Sequence, residues 1–198
     1  MFTKSFTPNF SRFFCPFRNF RALLVGVLVL LACPLLTIGQ DQIPAPSQST
    51  RSTYQVTSEF IEYLSDRYGR PAHEVSFIVK EVLKVAKDVE EAATILGIIS
   101  VESAFNPKAR SQGNVGLMQV NASVHGGQGL ADPKKNIEKG AGILREYHAG
   151  NLEYTLASYN QGPGNAKRIC ASKTKCKTKY VQKVLEKRKE FLPFLASL

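Results

Sequence analysis

The first 39 residues contain no aspartate or glutamate. They do contain Lys4, Arg12, Arg18 and Arg21, and then ALLVGVLVLLACPLLTIG from Ala22 to Gly39, which has no charge at all. A basic, acid-free start before an apolar run has the form of a secretory signal or an amino-terminal membrane anchor, not of a folded domain. The run of about 18 residues is long for a cleaved signal core and just enough to span a bilayer. Pro34 and Thr37-Ile38-Gly39 favour an end to the helix and permit cleavage before Gln40. Leu30-Leu31-Ala32-Cys33 matches a lipoprotein box only loosely, with Pro34 placed awkwardly after the cysteine. Removal, retention and lipidation therefore stay open. Each sends the bulk of the chain to the periplasm, free or held at the inner membrane through residues 22–39.

Cysteine is scarce. Cys15 and Cys33 fall in the targeting region, so the exported part has only Cys170 and Cys176, bracketing the loop CASKTKC. Two thiols with no histidine beside them exclude the usual zinc sets, and no metal or other cofactor is expected. An even, closely spaced pair in an oxidising compartment is most simply a disulfide, with two unrelated thiols as the plainer alternative. Closing so short a loop would stabilise by about 2–3 kcal/mol in the chain-entropy picture. Among the three histidines, His125 and His148 invite catalytic roles, but no nucleophile or ligand set accompanies either.

Acids are also thin at the other end. The net charge is +10, and residues 167–190 hold ten Lys or Arg against Glu186 and Glu190. Residues 40–166 are mildly acidic by comparison. A basic carboxy-terminal segment suits anionic polymers or membrane surfaces, and a merely solvated helix face explains it equally well. No nucleic-acid-binding module is present, so no nucleic-acid partner is expected.

Period-two alternation is missing too, which excludes a sheet-dominated fold, and no internal repeat suggests a solenoid. Residues 1–39 read as signal or anchor and 40–55, QDQIPAPSQSTRSTYQ, as a flexible Pro/Ser/Gln-rich linker. Residues 56–198 read as one mainly α domain with few or no strands. Ser58 is placed to cap a helix in which Phe60, Ile61 and Leu64 share a side before Gly69. Pro71 opens a second, with Ile78, Val82, Val85 and Ala86 at helical spacing. A third runs from Glu90 to Glu102, acids at its start where the dipole favours them. Asp132-Pro133 caps another, and Asn151 begins LEYTLASYNQG, which Gly162-Pro163-Gly164 interrupts. A basic helix from about Lys177 to Phe191 closes the chain.

The most informative segment is ILGIISVESAFNPKARSQGNVGLMQV, from Ile95 to Val120. At helical spacing Ile95, Ile98 and Ile99 share a face with Glu102. A carboxylate on such a face is costly to ionise. Desolvation raises its pKa, and a protonated carboxyl near neutral pH is what a general acid requires. The plain alternative makes Glu102 the wet end of the helix, with Ser103 and Asn106 starting the exit.

Glu102-Ser103, then Gly116-Leu117-Met118-Gln119, then LADPKKNIEKGAGIL, then LASYNQGPG occur in that order. Together they resemble the catalytic domain of the soluble lytic transglycosylases, enzymes of goose-type-lysozyme-like fold that cleave bacterial peptidoglycan. The resemblance covers roughly Val75 to Leu185. It implies that Glu102 is the single catalytic acid/base and that Ser103 orients the glutamate or the sugar's acetamido group. Met118 and Gln119 would line the glycan cleft, Tyr159 and Asn160 would form the Ala-Tyr-Asn motif, and Tyr180 would stand near the reaction centre. Ser158 departs from the usual alanine of that motif, and Gly113-Asn114-Val115 leaves the shape of one cleft wall open.

Each of these residues has a duller account. Leu117 or Met118 can be core, Tyr159 can pack between helices, and Asn160 can simply stop one. The segment from Ala104 to Val115 contains no acid, while Asp132, Glu138 and Glu153 lie further on, the first as a helix cap. A lone carboxylate suffices when an N-acetyl group supplies the nucleophile. The expected product is then a 1,6-anhydromuramic acid end. A hydrolytic muramidase on the same fold and a non-catalytic wall-binding assembly factor are the competing classes. Expected partners are peptidoglycan strands, the inner membrane if the apolar run is kept, and a secretion or conjugation apparatus if the wall is opened locally.

Overall fold

Helix begins earlier than the sequence suggests. The computed structural model describes residues 48–170 and 176–196, with side chains from Ser58 onward. The expectations for residues 1–47, including the signal or anchor, lie outside the described residues. Helix α1 spans Gln48–Tyr68, so residues 48–55 of the expected linker are helical. Ser58 sits inside that helix and does not cap it. No glycine or proline interrupts QSTRSTYQVTSEFIEYLSDRY, so nothing stops the helix from extending upstream of its first apolar residues.

Helix α2, Ala72–Val85, follows Pro71, which takes the N-cap position just before the helix. Helix α3, Val89–Ser103, is capped by Asp88, whose carboxylate accepts the Glu91 N–H at 2.7 Å. A three-stranded antiparallel sheet comes next. Its strands are β1 (Arg110–Ser111), β2 (Asn114–Val115) and β3 (Val120–Asn121), with Asn114 opposite Asn121 and Val115 opposite Val120. Two-residue strands carry no alternation that a sequence pattern could reveal. The Asn121 side chain then accepts from Ser123 and Val124 and starts the single turn α4, Ala122–His125.

Asp132 caps α5, Pro133–Glu146, by accepting the Lys135 N–H at 2.9 Å. Asn151 does the same for α6, Leu152–Gln161, through the Tyr154 N–H at 3.0 Å. Gly162, at φ 76°, ends α6 and leads into the short α7, Pro163–Ile169. Thr178 caps α8, Lys179–Leu195. The disulfide between Cys170 and Cys176 is present, with both residues buried. The mainly α class expected from the sequence is therefore the observed one.

Helix α3 is the spine. Every residue from Ala92 to Ser100 is buried, so this helix has no solvent face along its middle. The expected single apolar face is one part of that burial. Helix α8 lies against it at Gly97, where an added Cβ would stand 3.0 Å from the Val184 carbonyl oxygen. Phe60 of α1 meets Phe191 of α8 edge-on at 5.6 Å, and Ile78, Ile137, Leu156 and Val184 fill the surrounding core. The consequence for the site is rigidity: the last turn of α3 is carried by the most thoroughly packed element of the chain.

Candidate active site

Glu102 lies in that last turn, above the fully buried Ile98 and Ile99. Desolvation raises its pKa above the ordinary carboxyl value, and the Tyr180 hydroxyl, acting as donor, pulls it partly back. Tyr180 comes from the first turn of α8. Its hydroxyl is buried and has no hydrogen bond of ordinary geometry, so Glu102 is the polar group it faces. Burial, and then the charge of Glu102, hold the Tyr180 and Tyr159 phenols well above their usual pKa, so both stay protonated donors.

The chain leaves Glu102 through an unusual path. Ala104 and Phe105 have φ of 49° and 58°, the left-handed region that non-glycine residues avoid. Phe105 is fully buried and its ring lies 4.8 Å from that of Tyr68, and this burial holds the turn in place. Ser103 faces its own helix, its hydroxyl donating to the Ile99 carbonyl at 3.0 Å.

The Gly116–Gln119 corner between β2 and β3 is organised by Asn136 of α5, which is completely buried. Its Nδ2 donates to the Val115 carbonyl at 2.7 Å and to the Leu130 carbonyl at 3.1 Å, while its Oδ1 accepts the Met118 N–H at 2.8 Å. Gly116, at φ +78°, lies against this amide, and a Cβ there would come within 2.5 Å of Nδ2. Only glycine fits. Gln119, itself at φ 46°, folds its amide back to donate to the Gly116 and Ala109 carbonyls at 2.9 and 3.1 Å.

Met118 does not line a cleft with its side chain, contrary to the expectation from the sequence. Both Leu117 and Met118 are fully buried. Met118 packs over Gly140 of α5, where an added Cβ would stand 2.4 Å from its sulfur. The tight corner turns its two apolar side chains inward, toward the helix beneath it. What Met118 offers the site is its carbonyl oxygen, which accepts the Tyr159 hydroxyl at 2.8 Å.

Glu102, Gln119, Tyr159 and Asn160 all line one cavity of about 300 Å³. Ser103 and Met118 do not, and Tyr180 reaches it only through Glu102. Asn114, Asn121, His125, Tyr147 and Gln161 also line it; the sequence pointed to Asn114 only as part of a cleft wall of open shape, gave His125 no role, and did not raise the other three as site residues. The Asn114–Asn121 pair is set side by side by the β2–β3 register, which no local motif announces. Among the described residues lining this cavity, Glu102 is the only carboxylate. Asp132 is occupied as the α5 cap, and Glu153 accepts the Cys176 N–H at 3.3 Å. The arrangement is one carboxyl group in a cleft lined largely by amides and phenols, with the His125 imidazole on its wall, and it is suited to general acid/base chemistry on an uncharged polar substrate.

The family model for the transglycosylase SLT domain matches residues 84–182. The chain is 36% identical over 104 residues to a protein of Actinobacillus succinogenes named membrane-bound lytic murein transglycosylase C, covering 40% of this chain and 29% of that protein. It is 28% identical over 158 residues to the protein of the same name from Edwardsiella ictaluri, covering 67% of this chain and 43% of that protein. The chain thus spans less than half the length of these relatives. The matched region runs from the end of α2, ahead of the Glu102 helix, to just past Tyr180 and takes in every described residue of the cleft, and the chain belongs to the transglycosylase SLT-domain family.

Proposed function

We propose that this chain is a lytic transglycosylase, cleaving the β-1,4 bond between N-acetylmuramic acid and N-acetylglucosamine of peptidoglycan and leaving 1,6-anhydromuramoyl ends. The observation that supports this is that, among the described residues, a single carboxylate lines the cleft. Most glycosidases need two, one to protonate the leaving oxygen and one to attack or to activate water. With one, the substrate must supply the nucleophile, and the acetamido oxygen of the muramic acid is placed to do so.

Glu102 protonates the leaving oxygen first, which its raised pKa favours. It is then a carboxylate, and the Tyr180 hydroxyl beside it stabilises that form. In the second step it takes the proton from the C6 hydroxyl of the same muramic acid as that oxygen attacks the anomeric carbon. The attack is intramolecular, so it gains the orientation advantage over bulk water. Desolvation and the phenol act in opposite directions on one group, which lets it serve as acid and then as base. Gln119, Tyr159 and Asn160 are the groups we assign to the sugar.

The relatives' names include membrane-bound, and residues 1–39 have the form of an export segment. We therefore place the domain in the periplasm, at the inner membrane if residues 22–39 are retained. Among the described residues no helix is long and apolar enough to cross a membrane. Local wall opening for a secretion or conjugation apparatus is a role compatible with this placement.

Digestion of purified sacculi followed by mass spectrometry tests the mechanism. The expected fragments are lighter than hydrolytic ones by one water, and Glu102→Gln yields none. Reducing ends as the main product, or equal dependence on Asp132, Glu138 or Glu153, would instead establish a muramidase.

A further inference from the structure

His125 belongs to two cavities. On one side it lines the cleft that contains Glu102. On the other it lines a second cavity of about 470 Å³, together with Gln128, Leu130, Lys135, Glu138 and Lys139. The second cavity is therefore next to the cleft, divided from it by one side chain. Its chemistry is quite different. The cleft is lined largely by amides and phenols around one acid, with His125 shared between the two, whereas this cavity presents two ammonium groups and one carboxylate on a single face of α5, at i, i+3 and i+4.

These three charges are not consumed internally. Among the described residues, none of the ion pairs involves Lys135, Glu138 or Lys139. The Lys135 stem is laid over Gly129, where an added Cβ would come within 2.8 Å of its Cδ. Gly129 has φ +79°, so this close approach depends on glycine. The lysine thus has a seat on the cavity wall.

A sugar backbone is neutral and gives two lysines nothing to pair with. The peptide branch borne on the lactyl group of muramic acid is different. It carries carboxylates, and a diamino residue within it adds an amine. Two cations flanking one anion match that charge pattern, and the cavity adjoins the cleft at His125. We propose that this second cavity docks the peptide branch of peptidoglycan, and that Lys135 and Lys139 make the enzyme prefer peptide-bearing strands over bare glycan. The proposal rests on the lytic transglycosylase reading of the adjoining cleft.

The test uses the full-length protein carrying Glu102→Gln, so that ligands are bound without turnover. Titration calorimetry compares a disaccharide muropeptide with chitotetraose, which has neither peptide nor lactyl group. Lys→Met keeps the stem over Gly129 and removes the charge. The Lys135→Met, Lys139→Met double variant should weaken muropeptide binding about tenfold, the sum expected of two exposed charge pairs, and leave chitotetraose unchanged. The muropeptide advantage should also shrink with added salt. Equal weakening of both ligands, no weakening of either, or no muropeptide binding at all would overturn the proposal. Release of anhydro fragments from sacculi by the wild-type enzyme reports separately on the catalytic reading.

Discussion

The Tyr159 hydroxyl donates to the Met118 carbonyl oxygen at 2.8 Å, tying α6 to the corner between β2 and β3. Met118 is fully buried and Tyr159 half-buried, so water can replace the bond only in part. Tyr159→Phe keeps the ring and leaves the carbonyl unpaired, and should cost about 1–2 kcal/mol in urea denaturation. Turnover should fall as well, because the corner carries Gln119 into the cleft. A stable variant with unchanged turnover would show that Tyr159 is only packing.

Glu102 should make its fold less stable as pH rises. Burial lifts its folded pKa above the unfolded value, so the folded chain holds the proton more tightly. The resulting stability is complete below the unfolded pKa of about 4.3 and is lost as pH climbs through the raised folded value. Glu102→Gln removes this loss, so the variant should match wild type in acid and exceed it at neutral pH. Glu91 and Glu190, whose pKa values are lowered, contribute slopes of the opposite sign but are common to both proteins. Thermal unfolding across pH, taken as the difference between the two proteins, isolates the effect. A constant difference would contradict it.

Ser158 is buried, and its hydroxyl has no hydrogen-bond partner. The residue occupies the place where an alanine is usual in the motif it resembles. Ser158→Ala deletes the orphaned group and should raise stability by about 1 kcal/mol. The melting temperature should move up with little change in turnover. Destabilisation would mean that the hydroxyl has a function in the native site.

Gly140 and Gly142 are two residues apart on α5 and should respond in opposite directions. An added Cβ at Gly140 meets Met118 at 2.4 Å, whereas at Gly142 nothing lies within 4 Å. Gly142→Ala should stabilise by about 0.5–1 kcal/mol through helix propensity alone. Gly140→Ala gains the same propensity but overpacks the corner, and its net effect should be a loss of about 1–2 kcal/mol. Chemical denaturation of the pair checks both. Equal stabilisation by both would show that Met118 is free to move aside.

Helix starts at Asp132 and Asn151 were legible because a cap is a local bond: the carboxylate or amide reaches an N–H three residues on. The Asp88 cap went unread, because the acids at Glu90 and Glu91 marked that start instead. The start of α1 was not legible, because no glycine or proline in QSTRSTYQV marks a boundary there. Periodicity placed Glu102 on an apolar face but could not reveal that α3 is buried all round, since that depends on which helices pack against it. The Gly116–Gln119 run was recognisable as a motif, yet its direction was hidden. Asn136 decides that Met118 points inward, and Asn136 is far along the chain.

By itself the sequence determined the helical class, the starts at Asp132 and Asn151 and the candidacy of Glu102, and it pointed to the cysteine pair, all of which follow from neighbours within a turn or two or from a run of motifs. Only the tertiary structure decided that Glu102 is the sole carboxylate lining its cleft among the described residues, that Tyr180 from α8 and Tyr159 from α6 converge on it, and that Met118 serves through its carbonyl. The reason is physical. A local hydrogen bond is written in adjacent residues, whereas desolvation and a buried donor's position are set by whatever the rest of the chain packs around them.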